Sequence, residues 1–160
     1  MSPDSDITQR PAITDDHEFL QRVYAESRAA ELQATQWTEA EKSVFCRSQF
    51  AAQDSHYREH YPNCEFLIIE HQGEAVGRLY LDRRADEIRV VDIALLAAAR
   101  GQGLGGVVMA RIIDEAKDSQ LPVRIHVERS NRARHLYDRL GFQMVEEGEV
   151  YDLLAWTPSR

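Results

Sequence analysis

Long apolar runs are missing from this 160-residue sequence; no stretch approaches the roughly 20 residues that cross a bilayer. A membrane partner is therefore not expected. Cysteine is scarce: Cys46 and Cys64 are the only two, and their spacing suits no metal site. Neither a disulfide framework nor a bound metal is expected. Basic residues are outnumbered, with 19 Lys and Arg against 27 Asp and Glu, for a formal charge of −8. A phosphate backbone demands a net basic face, so no nucleic acid is expected as partner and a cationic one is favoured. The opening MSPDSDITQR has no basic segment followed by an apolar one, and cytoplasm is the expected location. Internal repeats and low-complexity blocks are absent too. What is present, 43% hydrophobic and 29% charged residues, is globular composition at the length of a single domain, taken as residues 1–160.

Periodicity and breakers divide the chain. TQRPAIT reads as a first strand. Phe19, Leu20, Val23, Tyr24 and Leu32 share a helical face, and Asp15 with Glu18 has capping-box spacing, which predicts a helix over about 16–33. Thr38 and Glu41 open a second helix that stops at Pro62. EFLIIE, AVGRLYLD and IRVVDIALL read as three strands of an antiparallel meander. Leu104, Val108, Ile112 and Ala116 recur at four-residue spacing on a third helix, and Val123, Ile125 and Val127 alternate on a strand. A short helix, NRARHLYDRL, ends at Gly141, and FQMVEEGEVYDLLAW closes the chain as a hairpin turning at Gly148.

Glycine is sparse, yet four of the eight fall in RGQGLGG, residues 100–106, between a strand and a helix. Such a turn points unpaired backbone N–H groups and the positive end of the helix dipole at one spot, which suits phosphate. Glycine serves where a Cβ would hold the anion away. Gly101, Gly103 and Gly106 also fit the dinucleotide fingerprint, with Glu128 near the ribose-acid position, but a preceding meander and a closing hairpin are the wrong surroundings for it. HYREH matches an inverted zinc-protease motif at His56, Glu59 and His60. It lacks an identifiable third ligand, and exposed histidines on an amphipathic helix explain it as well.

DIALLAAARGQGLGGVVMARII resembles the acyl-CoA-binding motif of the GCN5-related N-acetyltransferase (GNAT) superfamily, with Arg100, Gly103 and Gly105 at its defining positions. NRARHLYDRLGF resembles the same family's late helix through Asn131, Ala133, Tyr137, Gly141 and Phe142. Ala97 stands where relatives commonly have proline, and the spacing to Tyr137 allows Ser130 as well as Asn131 in the Asn position. The resemblance implies the GNAT fold over about residues 7–157: an α/β (α+β) chain with a mixed, mostly antiparallel sheet of about six or seven strands, a splayed parallel pair, and about four helices. It implies acetyl-CoA as acyl donor, no metal, and an amine acceptor, either a small molecule or a peptide or protein amine. A homo-oligomer is compatible with it. Ile93 and Leu95 would meet the pantetheine arm through their backbone. Arg100, Gly101, Gln102, Gly103, Leu104, Gly105 and Gly106 would cradle the pyrophosphate, and Asn131 would also meet the cofactor.

By the same resemblance Tyr137 would give the proton that the leaving thiolate takes, although an apolar-face tyrosine is otherwise a packing residue. Asp92 is a candidate base beside the acyl group, with Glu87, His126 and Glu128 as alternatives and a water chain as another route. Trp37, Tyr57, Tyr61, Tyr151 and Trp156 are candidates for the acceptor site, where aromatic faces would suit a cationic amine. A binding module that keeps the acyl-CoA pocket without transfer is the alternative function.

Overall fold

Alternating apolar side chains in the middle of the chain pair into a sheet, and helices cover both of its faces. The structure, a computed structural model, describes residues 6–129, 131 and 133–159. Its strands are β1 (Ile7–Pro11), β2 (Glu65–His71), β3 (Glu74–Arg83), β4 (Ile88–Leu95), β5 (Val123–Glu128), β6 (Gln143–Glu146) and β7 (Tyr151–Trp156). They form one seven-stranded sheet in the order β1-β2-β3-β4-β5-β7-β6. Only β4 and β5 run parallel; the other neighbours are antiparallel. That topology is the expected mixed sheet and not a doubly wound dinucleotide fold, which needs a run of parallel strands.

The helices are α1 (His17–Ser27), α2 (Ala29–Gln33), α3 (Glu39–His60), α4 (Leu104–Ser119) and α5 (Arg134–Leu140). Among the described residues there are five where about four were expected, because the stretch over 16–33 breaks at Arg28. Ser27 Oγ donates to the Tyr24 carbonyl at 2.6 Å, and the Arg28 N–H divides itself between the Tyr24 and Ala25 carbonyls, 3.2 Å from each. Competition for the same carbonyls ends the helix there. The box expected at Asp15 and Glu18 does not form either. Thr14–Asp16 is a 3₁₀ turn, and the Asp16 carboxylate takes the Ile13 N–H and both terminal nitrogens of Arg10, each at 2.8 Å. The box at Thr38 does form, with Glu41 N–H to Thr38 Oγ1 at 3.1 Å and Thr38 N–H to Glu41 Oε1 at 3.2 Å.

Two apolar clusters hold the layers together. Leu104, Val108, Ile112 and Ala116 of α4 pack on one face against Leu79, Leu81, Val90 and Ile125. Leu20, Tyr24, Leu32 and Phe50 of α1 to α3 pack on the other against Ile68. Fully burying one such side chain contributes about 1.5–3 kcal/mol. Among the described residues no helix is long and apolar enough to cross a membrane.

The parallel pair separates partway along. β4 and β5 pair at Ile88 with Val123, Arg89 with Arg124 and Val90 with Ile125, and no further. Beyond that point β4 stays on β3 as far as Leu95, while β5 stays on β7 as far as Glu128. The β3–β4 register slips at the same place: Leu81 faces Val90 but Tyr80 faces Asp92, leaving Val91 as an extra residue. A bulge of this kind bends its strand and adds twist, and here it turns β4 away from β5.

Candidate active site

Backbone direction along β4 decides which groups face the gap. Ile88 gives its N–H to Pro122 O at 2.9 Å, towards β5, whereas Leu96 gives its N–H to Val76 O at 2.8 Å, towards β3. Alternate residues of a strand face opposite neighbours, so Ala94 and Asp92 face β3 with Leu96, and Ile93 and Leu95 face the gap. Arg100 Nε donates to the Leu95 carbonyl at 3.2 Å, which occupies one of the four main-chain groups there.

The turn after β4 is built for close approach. Gly101 and Gly103 have φ of +77° and +79°, conformations that L side chains rarely adopt. Gly103 caps α4, whose first N–H groups, those of Leu104, Gly105 and Gly106, have no partner within the helix. Leu104 itself is buried in the core. A Cβ on Gly105 would come no nearer than 3.8 Å to Leu136 and 3.9 Å to Leu95, and one on Gly106 no nearer than 3.5 Å to Leu136. Packing within the chain thus leaves room for a side chain at both. The turn sits against the end of β4 and against α5, with Arg100 and Gln102 exposed beside it and Gln102 Nε2 bonded to Ala98 O at 3.0 Å.

A cleft of about 530 Å³ opens where the strands part. It brings together Asp92, Ile93, Asn131 and Tyr137, while Leu95 and residues 100–106 lie outside its lining, along the outgoing end of β4. Asn131 spends its side-chain oxygen on the Ala133 N–H at 2.8 Å, ahead of α5. Ser130, the other candidate for that position, lies outside the described residues. Tyr137 is 3% exposed and packs edge-on against Phe142, with ring centres 5.6 Å apart. Burial, and secondarily the charge of Asp92, pushes its phenol up to about 12.

The carboxylates divide by their partners. Asp92 Oδ2 accepts from Arg78 Nε at 2.5 Å, and among the described residues Oδ1 accepts no hydrogen bond. Glu87 is buried and ion-paired with Arg84, Arg89 and Arg124; against the push of burial, Arg89 and Arg124 hold it below the usual carboxylate range. His126 is exposed on β5, and burial of its ring together with nearby Arg89 lowers its pKa. Glu128 lines the cleft close to Tyr151.

Of the aromatic candidates, Tyr57, Tyr61 and Tyr151 line the cleft. Trp37 packs on Phe45 and Trp156 on the main core, both outside that lining. Sequence reasoning missed Arg28 and Arg78, which also line it. The second left a trace, since an arginine inside the apolar run VGRLYL breaks the pattern of a covered strand. His56 and His60 stack with ring centres 4.3 Å apart on α3, and among the described residues no group of His, Cys, Asp or Glu is arranged to hold a metal.

Similar solved structures share this architecture. PaiA N-acetyltransferase from Thermoplasma acidophilum, in complex with coenzyme A, is 16% identical with a TM-score of 0.72 over 98% of this chain and 99% of its own. A histone acetyltransferase HPA2 and related acetyltransferase from Corynebacterium glutamicum is 21% identical with a TM-score of 0.67 over 97% of each chain. A GNAT family acetyltransferase from Elizabethkingia anophelis with acetyl-CoA bound is 17% identical with a TM-score of 0.60 over 95% of this chain and 98% of its own. At such identities the likeness shows the fold. A comparison with curated proteins finds no significant match. The sequence profile of the acetyltransferase (GNAT) family matches residues 23–142, well over half of the chain, and with the parted strands, glycine turn and buried tyrosine already in place, the chain belongs to the GNAT family of acetyltransferases.

Proposed function

We propose that the protein transfers an acetyl group from acetyl-CoA to a primary amine, which attacks the thioester directly in the cleft between β4 and β5. The observation that supports this reading best is the order of groups along β4: the glycine turn at its outgoing end, the unpaired edge at Ile93 and Leu95, and the cleft with Tyr137 where the strands part. The residues fit a CoA-type ligand. Gly105 and Gly106 lack side chains that packing would allow, as a close anion requires, and the free N–H groups there suit a pyrophosphate. Arg100 adds positive charge at the turn, and Gln102 and Gly103 extend the set of main-chain donors. Ile93 and the Leu95 N–H offer an edge to the amides of the pantetheine arm, as a further strand would use it. Asn131 lines the same cleft.

Acetyl-CoA supplies an electrophilic carbonyl and a thiolate leaving group. Tyr137, kept protonated by burial, donates to the sulfur as the thiolate departs. Asp92 faces the amine through Oδ1 while Arg78 holds Oδ2, so a proton leaving the amine has a receiving oxygen and passes from there to water.

An amine panel scored by release of CoA thiol tests this, with each product confirmed by mass. Acetyl-CoA should raise the melting temperature by mass action, NAD should not, and at least one amine should gain 42 mass units, the difference roughly expected for an acetyl group replacing hydrogen, with turnover surviving a chelator. Binding of acetyl-CoA without turnover on any amine would favour the non-catalytic binding module instead. A shift with NAD alone would refute both.

A further inference from the structure

The strand exit ahead of the glycine turn is held by a carboxylate from the helices on the other face of the sheet. Glu26, in the last turn of α1, takes the Ala97 N–H on Oε1 at 2.6 Å, across 71 residues of sequence, and Arg22 donates to its Oε2 at 3.1 Å. A helix glutamate facing solvent needs no more than the second contact, an ordinary four-residue pair. Here only 27% of the side chain is exposed. Against the push of burial, the Ala97 N–H and Arg22 hold the carboxyl below its usual range, so the acceptor carries full charge at neutral pH.

Ala97 is the point from which the turn is built. It opens the 3₁₀ turn Ala97–Ala99, whose first N–H groups have no partner inside it. Its carbonyl takes the Arg100 N–H at 3.2 Å, the Ala98 carbonyl takes Gln102 Nε2 at 3.0 Å, and Arg100 Nε reaches back to Leu95. Among the described residues, the other hydrogen bonds of residues 97–103 join near neighbours in sequence, and Glu26 alone ties this stretch to another layer. Gly101 and Gly103 leave it more backbone freedom than other residues would. Buried Leu104 fixes the far end through α4, while the near end depends on the 3₁₀ turn. Freedom removed in advance is freedom that a ligand need not remove on binding.

Resting on the reading of this turn as the seat of the CoA pyrophosphate, we infer that Glu26 is a positioning residue for acetyl-CoA. It acts through Ala97 and not on the cofactor, holding Arg100 and the N–H groups of the glycine turn in place before the ligand arrives.

Calorimetric titration with acetyl-CoA compares the unmodified protein with Glu26→Ala, with Glu26→Gln, and with Glu26→Ala combined with Ala97→Pro. Kd should rise about tenfold in Glu26→Ala, the lower end of what one charge-assisted hydrogen bond contributes. Glutamine keeps an Oε1 acceptor and should stay within about threefold of the parent. Proline has no N–H to satisfy, and the site suits it: Leu96 before it is extended at φ −58° and ψ 147°, and Ala97 is the first residue of a helical turn. With the carboxylate truncated there is room for the ring, and the combined variant should recover affinity to within about threefold of the parent. Damage to α1 would not be repaired by a change at position 97. Two further readouts separate positioning from such damage. In the ligand-free protein the Ala97 amide should exchange with solvent at least about tenfold faster in Glu26→Ala than in the parent. KM for acetyl-CoA should rise while KM for the amine holds, because a distorted α1 would also disturb Tyr24, Ser27 and Arg28, which line the cleft.

An unchanged Kd in Glu26→Ala overturns the inference. So does a Glu26→Gln protein as weak as Glu26→Ala, which would make charge and not the Ala97 contact the source, and so does a combined variant that melts like the parent and recovers nothing. If the unmodified protein does not bind acetyl-CoA, the cofactor reading fails and this inference with it. Binding and transfer that ignore position 26 leave that reading standing and remove this one.

Discussion

Replacing Tyr137 with phenylalanine removes one hydroxyl and keeps the ring that packs on Phe142. The size of the effect follows from how strongly the phenol holds its proton. With its pKa pushed up to about 12, Tyr137 is protonated throughout the neutral range. A thiol ionises near ~8.5, so the phenol is the weaker acid by about 3.5 units, and complete transfer of its proton to a free thiolate would cost about 5 kcal/mol. Its contribution is therefore a hydrogen bond to charge developing on sulfur, about 1.5–3 kcal/mol, and not the full benefit of a matched general acid. By the conversion of 1.36 kcal/mol per decade, turnover in Tyr137→Phe should fall about 10- to 150-fold. Affinity for acetyl-CoA should change little, and the melting temperature should stay close to that of the parent. Turnover is measured at saturating substrates across pH 6 to 10, with single-turnover mixing to show that chemistry limits the rate. Both proteins should gain rate as pH rises and the amine loses its proton. Neither should show a falling limb in that range, because a phenol titrating near 12 is still protonated at pH 10. Equal turnover in the two proteins would return Tyr137 to a packing role. A falling limb below pH 10 that disappears in the variant would refute the raised pKa instead.

Two further outcomes are expected. Gly105→Glu should melt no lower than the parent, since its Cβ meets nothing nearer than 3.8 Å and a carboxylate at a helix N-terminus is favourable, yet it should lose the stabilisation by acetyl-CoA, about 2.7 kcal/mol at a hundredfold excess over Kd; a variant that retains the full shift would remove the pyrophosphate from this turn. Asp16→Asn should destabilise the fold by about 1–2 kcal/mol at neutral pH, a range discounted for the solvent around Arg10. Arg10, working against burial, holds the Asp16 carboxyl below its usual range, so its contribution is complete above the unfolded value near ~3.9 and fades as pH falls through the lower native one. The gap between the two proteins in denaturant midpoints should narrow below pH ~4, and a gap that stays constant to pH 2.5 would show that the pair is not its source.

Much of this architecture is legible in local patterns. Four-residue spacing from Leu104 to Ala116 locates α4, alternation from Val123 to Val127 locates β5, and Thr38 with Glu41 marks the start of α3, because each signal depends on neighbours within a few positions. The glycine turn is legible for the same reason. Local spacing misleads at Asp15 and Glu18, where Arg10, lying on a strand before the helix, draws Asp16 into a different arrangement. The floor of the cleft is not legible at all. Gln53, Arg78 and Asp92 come from a helix and two strands, and their meeting depends on the β3–β4 register, which no periodicity within β4 reveals.

The extra residue at Val91 has an effect beyond bending the strand. Ile88 and Val90 before it face the α4 side, and so do Ile93 and Leu95 after it, odd positions taking over from even ones. Were β4 to alternate strictly through Val91, with no bulge, Asp92 would change places with an apolar neighbour and its carboxylate would be driven into the oily layer beneath α4. The chemistry of this strand is thus written in a count as much as in letters. Many side chains at position 91 could serve, but with that residue present the ladder has to break its alternation there.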